Sequence, residues 1–129
     1  MKTKVYFGSR LLLGLIYFVF GLNGFLNFIP TPTDMPQAAQ TFMGGIMSAS
    51  YFLPVLKGTE VIAGLLLLTG FAAPLALIIL APITLQILLF HGFLTPGIEN
   101  LIMPLVMSAL HILAAQAYWN LYSPLFKKV

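Results

Sequence analysis

Four stretches of this 129-residue chain are almost unbroken runs of apolar residues, and polar residues collect between them and at the two ends. The runs cover about residues 6–29, 51–70, 72–94 and 100–122. Each is near the length of apolar helix that crosses a hydrocarbon core, about 20 residues. The pattern predicts an all-α fold, an integral membrane four-helix bundle forming a single transmembrane domain over residues 1–129. The segment Pro30-Thr31-Pro32-Thr33-Asp34 stops the first run, because its prolines remove backbone donors. The turn Gly70-Phe71-Ala72-Ala73-Pro74 is short enough to make the second and third helices antiparallel neighbours. Between the first two runs, Met35, Ala39, Phe42, Met43, Ile46 and Met47 recur at helical spacing while Gln37, Gln40, Thr41 and Ser48 fall elsewhere. This spacing predicts an additional amphipathic interfacial helix over about residues 35–49, lying outside the bundle. Asp34 is its expected N-cap, with Pro36 in the first turn and Gln37 completing a loose capping box. Such a helix serves either as a lid over a site or as a simple return to the membrane.

Composition sharpens this picture. Hydrophobic residues make up 60% of the chain and charged residues 7%, against roughly 25% charged in ordinary soluble domains. The formal charge is +3, but Lys2, Lys4 and Arg10 lie at one end and Lys127 and Lys128 at the other. That distribution speaks for membrane topology and against nucleic acid, since Lys and Arg are retained on the cytoplasmic side. Both termini and the Gly70 turn are therefore expected in the cytoplasm. The apolar run after Arg10 is longer than a signal-peptide core and is read as a retained helix. Cysteine is absent, which excludes disulfides, thiol redox pairs and thiolate-ligated clusters. Gly8, Gly14, Gly21, Gly24 and Gly64 suit close helix packing in lipid. Pro82 falls inside the third run and is expected to bend it. No internal repeat suggests an inverted-repeat transporter, and the inner half offers little for a proton path.

Polar side chains inside the runs carry the chemistry, because a charge at the bilayer centre costs on the order of 3 kcal/mol. Counting about 1.5 Å per residue from the outer helix ends puts Asn27 and His91 roughly 3 to 5 Å deep, Asn23 and Lys57 roughly 9 Å, and Gln86 roughly 12 Å. Glu60 and His111 fall near the midplane. The bias toward the outside predicts a pocket entered from that face. Lys57 and Glu60, three residues apart, share a helix face with Gly64 and can pair. Their pairing serves either to neutralise two buried charges within the bundle or to place a proton-exchanging carboxyl in a site, and both readings stand. His91 and His111 invite haem ligation, but an estimated depth difference of roughly 11 Å disfavours it. A histidine can instead bond within the bundle or assist proton transfer to a quinol. No metal-site, phosphate-loop or nucleophile motif is present in the sequence. Tyr118, Trp119 and Tyr122 suit the inner aromatic belt.

Gly21-Leu22-Asn23-Gly24-Phe25, then Lys57-x-x-Glu60-x-x-x-Gly64, then Ala81-Pro82 and Leu89-Phe90-His91, taken in this order with four helices, resemble the DoxX-like family of small membrane proteins. The resemblance implies a four-helix bundle in the bacterial cytoplasmic (inner) membrane. It also implies a link to quinone-coupled oxidoreductase systems, with membrane or periplasmic protein partners, while the broader superfamily includes assembly factors. The leading expectation is an accessory subunit of a quinone-linked oxidoreductase complex, with catalysis by the chain itself left open. Its candidate ligand-binding residues are Asn23, Lys57, Glu60 and His91, with Asn27 and His111 beside them. Quinone is the cofactor this reading brings in, together with an external electron donor and no metal. The competing expectation is a non-enzymatic scaffold or assembly factor, and a small transporter ranks last.

Overall fold

A computed structural model describes residues 2–29 and 34–128. The stop segment Pro30 to Thr33 lies outside the described residues. The helices are α1 (Lys2–Leu26), α2 (Gln37–Ser48), α3 (Phe52–Thr69), α4 (Ala73–Leu89), α5 (Ile98–Gln116) and the single turn α6 (Trp119–Tyr122). A π-helical turn, Phe90–Leu94, extends α4, and a 3₁₀ turn, Ser123–Phe126, follows α6. Four helices are long and apolar enough to cross a membrane: α1, α3, α4 with its π turn, and α5. No strand occurs among the described residues.

The four long helices form a ring in which α1 packs on α3, α3 on α4, α4 on α5 and α5 back on α1. Leu13, Tyr17, Ala63, Leu67, Leu77 and Leu80 fill its centre. Large apolar residues such as Val55, Ile62, Leu105 and Ile112 face outward and stay exposed. A bundle with apolar residues on both its inside and its outside suits lipid as solvent, because lipid offers no penalty to the outer set. The closest approach is between α1 and α3. A Cβ on Gly64 would stand 2.6 Å from the Phe18 amide nitrogen and 2.9 Å from the Gly14 carbonyl oxygen, so only glycine fits there.

Helix ends differ in detail from the sequence expectation. α1 stops at Leu26, three residues before Ile29, because Asn27 turns into the left-handed region at φ 52. The Asn23 side chain then accepts a hydrogen bond from the Ile29 amide at 2.6 Å. α2 begins at Gln37, and Pro36 rather than Asp34 occupies the N-cap position. Pro36 has extended ψ, which keeps the residues before it off the helix axis and Asp34 away from the first-turn amides. α2 packs against α3 and the π turn, with the Phe42 and Phe90 rings 5.6 Å apart. Pro82 sits inside α4, which stays helical from Ala73 to Leu89. The irregularity comes after it, where the Thr95 amide reaches back five residues to the Phe90 carbonyl. α5 ends at Gln116, six residues short of Tyr122. Its last bonds tighten to a three-residue span at Ala117 and Tyr118, and Tyr122 turns in to donate to the Pro74 carbonyl at 2.7 Å.

Candidate functional site

Glu60 is 4% exposed and stands where α3 meets α1. A Cβ on Gly21 would come within 3.0 Å of the Glu60 Cβ, so the two backbones converge at that level. One turn earlier on α3, Lys57 brings its ammonium to 3.5 Å from Glu60 Oε2. The lysine stem lies against Gly24, the next glycine along α1, where any side chain would collide with it. The partners differ in access: the Lys57 side chain keeps 26% of its surface exposed, the Glu60 side chain 5%. The pair therefore has one buried member and one that reaches out of the bundle. In its charged form a carboxyl so placed needs a paired cation, which Lys57 supplies.

One turn before Gly21 on α1 begins a chain of polar groups that crosses three helices. Tyr17 of α1 is 1% exposed. The Tyr17 hydroxyl meets the Thr84 hydroxyl of α4 at 2.5 Å, and Thr84 meets His111 Nδ1 of α5 at 2.9 Å. The chain closes on α4, where His111 Nε2 lies 2.9 Å from the Leu77 carbonyl oxygen. The proton order follows from chemistry. A carbonyl only accepts, so Nε2 carries the hydrogen and donates to Leu77. In the neutral imidazole Nδ1 then accepts, Thr84 donates to it, and Tyr17 donates to Thr84. Both ring nitrogens of His111 are thus engaged, which leaves neither free for a haem iron.

The remaining candidates stand apart from this chain. His91 lies in the π turn, half-buried, with Nδ1 donating to the Ile87 carbonyl at 2.8 Å and its ring edge-on to Phe90 at 5.3 Å. In its neutral form Nε2 is left as the acceptor nitrogen. Asn23 is held by its bond to Ile29, and Asn27 is exposed just past the end of α1. Lys57 and Glu60 touch each other, while His91, Asn23 and His111 each bond elsewhere. Beneath α2 a cleft of about 230 Å³ is lined by Phe42, Gln86, Leu89, Phe90, Phe93 and Leu94. Its wall is aromatic and aliphatic apart from the Gln86 amide. Among the described residues no three His, Asp or Glu side chains come together as a metal-binding set.

Tyr17 and Thr84 were not among the residues the sequence singled out. Tyrosine in an apolar helix reads as an interfacial anchor, and threonine as a residue bonded to its own helix. The available signal was depth: Tyr17 is far from either end of α1, where a phenol needs a partner.

A family model described as DoxX matches residues 6–92, more than half of the chain. The match includes Tyr17, Asn23, Lys57, Glu60, Thr84 and His91 and stops before α5 and His111. No curated protein and no solved structure matches the chain.

Proposed function

Since the chain belongs to the DoxX family and is a multi-pass membrane protein, we propose that it serves as an accessory subunit of a quinone-linked oxidoreductase complex, in which Glu60 exchanges a proton with a bound quinone. The observation that carries this reading is the buried carboxyl itself. Glu60 is almost wholly removed from solvent, beside a lysine that reaches out of the bundle. Placing such a group in a membrane costs on the order of 3 kcal/mol, and groups held at that cost mark proton or ligand paths. The cleft beneath α2 offers an apolar, aromatic wall for a ring or isoprenoid tail, with Gln86 as its polar group and His91 next to Phe90. Reducing a quinone to a quinol takes up two electrons and two protons. The Glu60 carboxyl delivers one proton and water entering from the outward-facing side supplies the other, while both electrons come from an external donor subunit that carries the redox group, because this chain has no thiol.

In this reading the bacterial inner membrane is the setting, both termini face the cytoplasm, and the α2 end of the bundle faces the periplasm. The test is quinone extraction from protein purified in lipid nanodiscs. Co-purified quinone that is lost in Glu60→Gln is the expected result. No quinone in the wild type, with quinone binding unchanged by Glu60→Gln, overturns the proposal.

One observation favours a second reading, a non-enzymatic scaffold or assembly factor. The nitrogens of His111 are saturated by Thr84 and Leu77, which makes them struts between helices. Under that reading Glu60→Gln lowers folded yield, and affinity purification recovers a stoichiometric membrane partner.

A further inference from the structure

At the other end of the bundle, charge is unbalanced. Lys2, Lys4 and Arg10 at the start of α1 join Lys127 and Lys128 near the end of the chain, whereas the side-chain carboxylates are Asp34, Glu60 and Glu99. Asp34 and Glu99 belong to the opposite end, next to α2 and at the start of α5, and Glu60 is paired with Lys57. Five cationic side chains thus share one end of the molecule with no acidic side chain.

Arg10 is the one built into the fold. It stands about 12 Å along α1 from Lys2, with its guanidinium 4.8 Å above the centre of the Phe7 ring. A Cβ on Gly70 would meet Nη1 at 3.1 Å, so the cation lies against the residue that caps α3. Nη1 donates to the Tyr118 hydroxyl at 3.3 Å. Nε is buried and has no hydrogen-bond partner among the described residues. The residue as a whole is only half-buried, so it is the outer part of the guanidinium, where Nη1 meets Tyr118, that an acceptor can reach. Beside it opens a cavity of about 380 Å³ whose walls include Thr3, Tyr6, Arg10, Gln116 and Tyr118. Every polar wall residue other than Arg10 is neutral and able to donate a hydrogen bond. A site with one fixed cation, several neutral donors and no carboxylate selects an anion with several acceptor oxygens. The planar fork of arginine suits phosphate.

We propose that this cavity binds a phosphate group, with Arg10 supplying the charge and Thr3, Tyr6 and Gln116 the surrounding donors. The phosphate comes from a phospholipid headgroup or from inorganic phosphate, and the two sources separate experimentally. The full chain is reconstituted into vesicles of phosphatidylglycerol and phosphatidylcholine, released gently, and weighed by native mass spectrometry. A parallel detergent sample is titrated with inorganic phosphate. A phospholipid retained by the wild type, with no phosphate adduct, assigns the membrane as the source, and the reverse assigns free phosphate. Arg10→Gln weakens the bound species about tenfold or more, the loss expected of a charge-assisted hydrogen bond. Because Arg10 also steadies the α3 end, Ala117→Phe is the second variant: Ala117 lines the same cavity, and the added ring takes up its space while Arg10 is kept, giving the same loss at unchanged helicity. Lys127→Gln leaves binding as it was. Failure of both ligands to bind overturns the proposal. So does equal binding by the wild type and both cavity variants, or an equal loss in Lys127→Gln, which assigns the effect to diffuse charge.

Discussion

Along the seam of α1 and α3, Gly14 and Gly64 bring two backbones together with no side chain between them. Across α4 and α5, Thr84 and His111 join the helices by hydrogen bonds. The first seam is closed by shape and the second by polar satisfaction. In lipid the difference matters, because association there relies on close packing and on internal hydrogen bonds rather than on burial of apolar surface. Close packing is intolerant of added volume. A hydrogen bond is worth little by itself but is costly to leave half made. Tyr17 belongs to both seams, with its backbone on the α1 side and its hydroxyl on Thr84.

The α1–α3 seam is most sensitive at Gly64. Gly64→Leu puts carbon into the Phe18 and Gly14 backbones and should cost about 3 kcal/mol or more, as overpacking does at its upper end. Titration with SDS in mixed micelles, followed by circular dichroism, reads this as a large fall in the midpoint. A midpoint like that of the wild type would show that the α1–α3 seam has room to spare. His111→Ala tests the other seam. It strands the Thr84 hydroxyl and the extra lone pair of the Leu77 carbonyl and leaves a cavity, with an expected cost of about 2–3 kcal/mol. His111→Gln should recover part of that loss by offering a donor and an acceptor. If it recovers none, size rather than bonding closes this seam. Tyr17→Phe is the mildest, removing one hydroxyl for about 0.6 kcal/mol, the usual worth of such a bond between membrane helices. Combined with His111→Ala it should cost less than the sum, since the bond chain is already broken.

The four spans were legible because the apolar runs are long and their punctuation is strong, and Lys57 with Glu60 because charged residues are rare inside such runs. Helix ends were harder. The left-handed turn at Asn27 and the side-chain bond from Asn23 to Ile29 end α1 early, and neither appears in hydropathy. Pro36 displaced Asp34 as the cap through its extended backbone, a tertiary choice between two acceptable starts. Position along its span puts His111 deep in the bundle but does not give its partners, because which faces of α1, α4 and α5 meet depends on how the ring closes. Tyr17 and Thr84 therefore emerged only with the packing. In the sequence Arg10 is one more positive charge at a membrane edge, and only the fold sets Phe7, Gly70 and Tyr118 around it.

The hydroxyl of Thr84 has a single hydrogen to give, and that fixes how the helices can communicate. A second proton arriving at His111 would land on Nδ1 and meet the hydrogen of Thr84 head-on. Thr84 would have to turn its hydrogen away and accept from Nδ1, and its second lone pair would still accept from Tyr17. The rotation of one hydroxyl on α4 thus absorbs a change of charge on α5, with no helix needing to move.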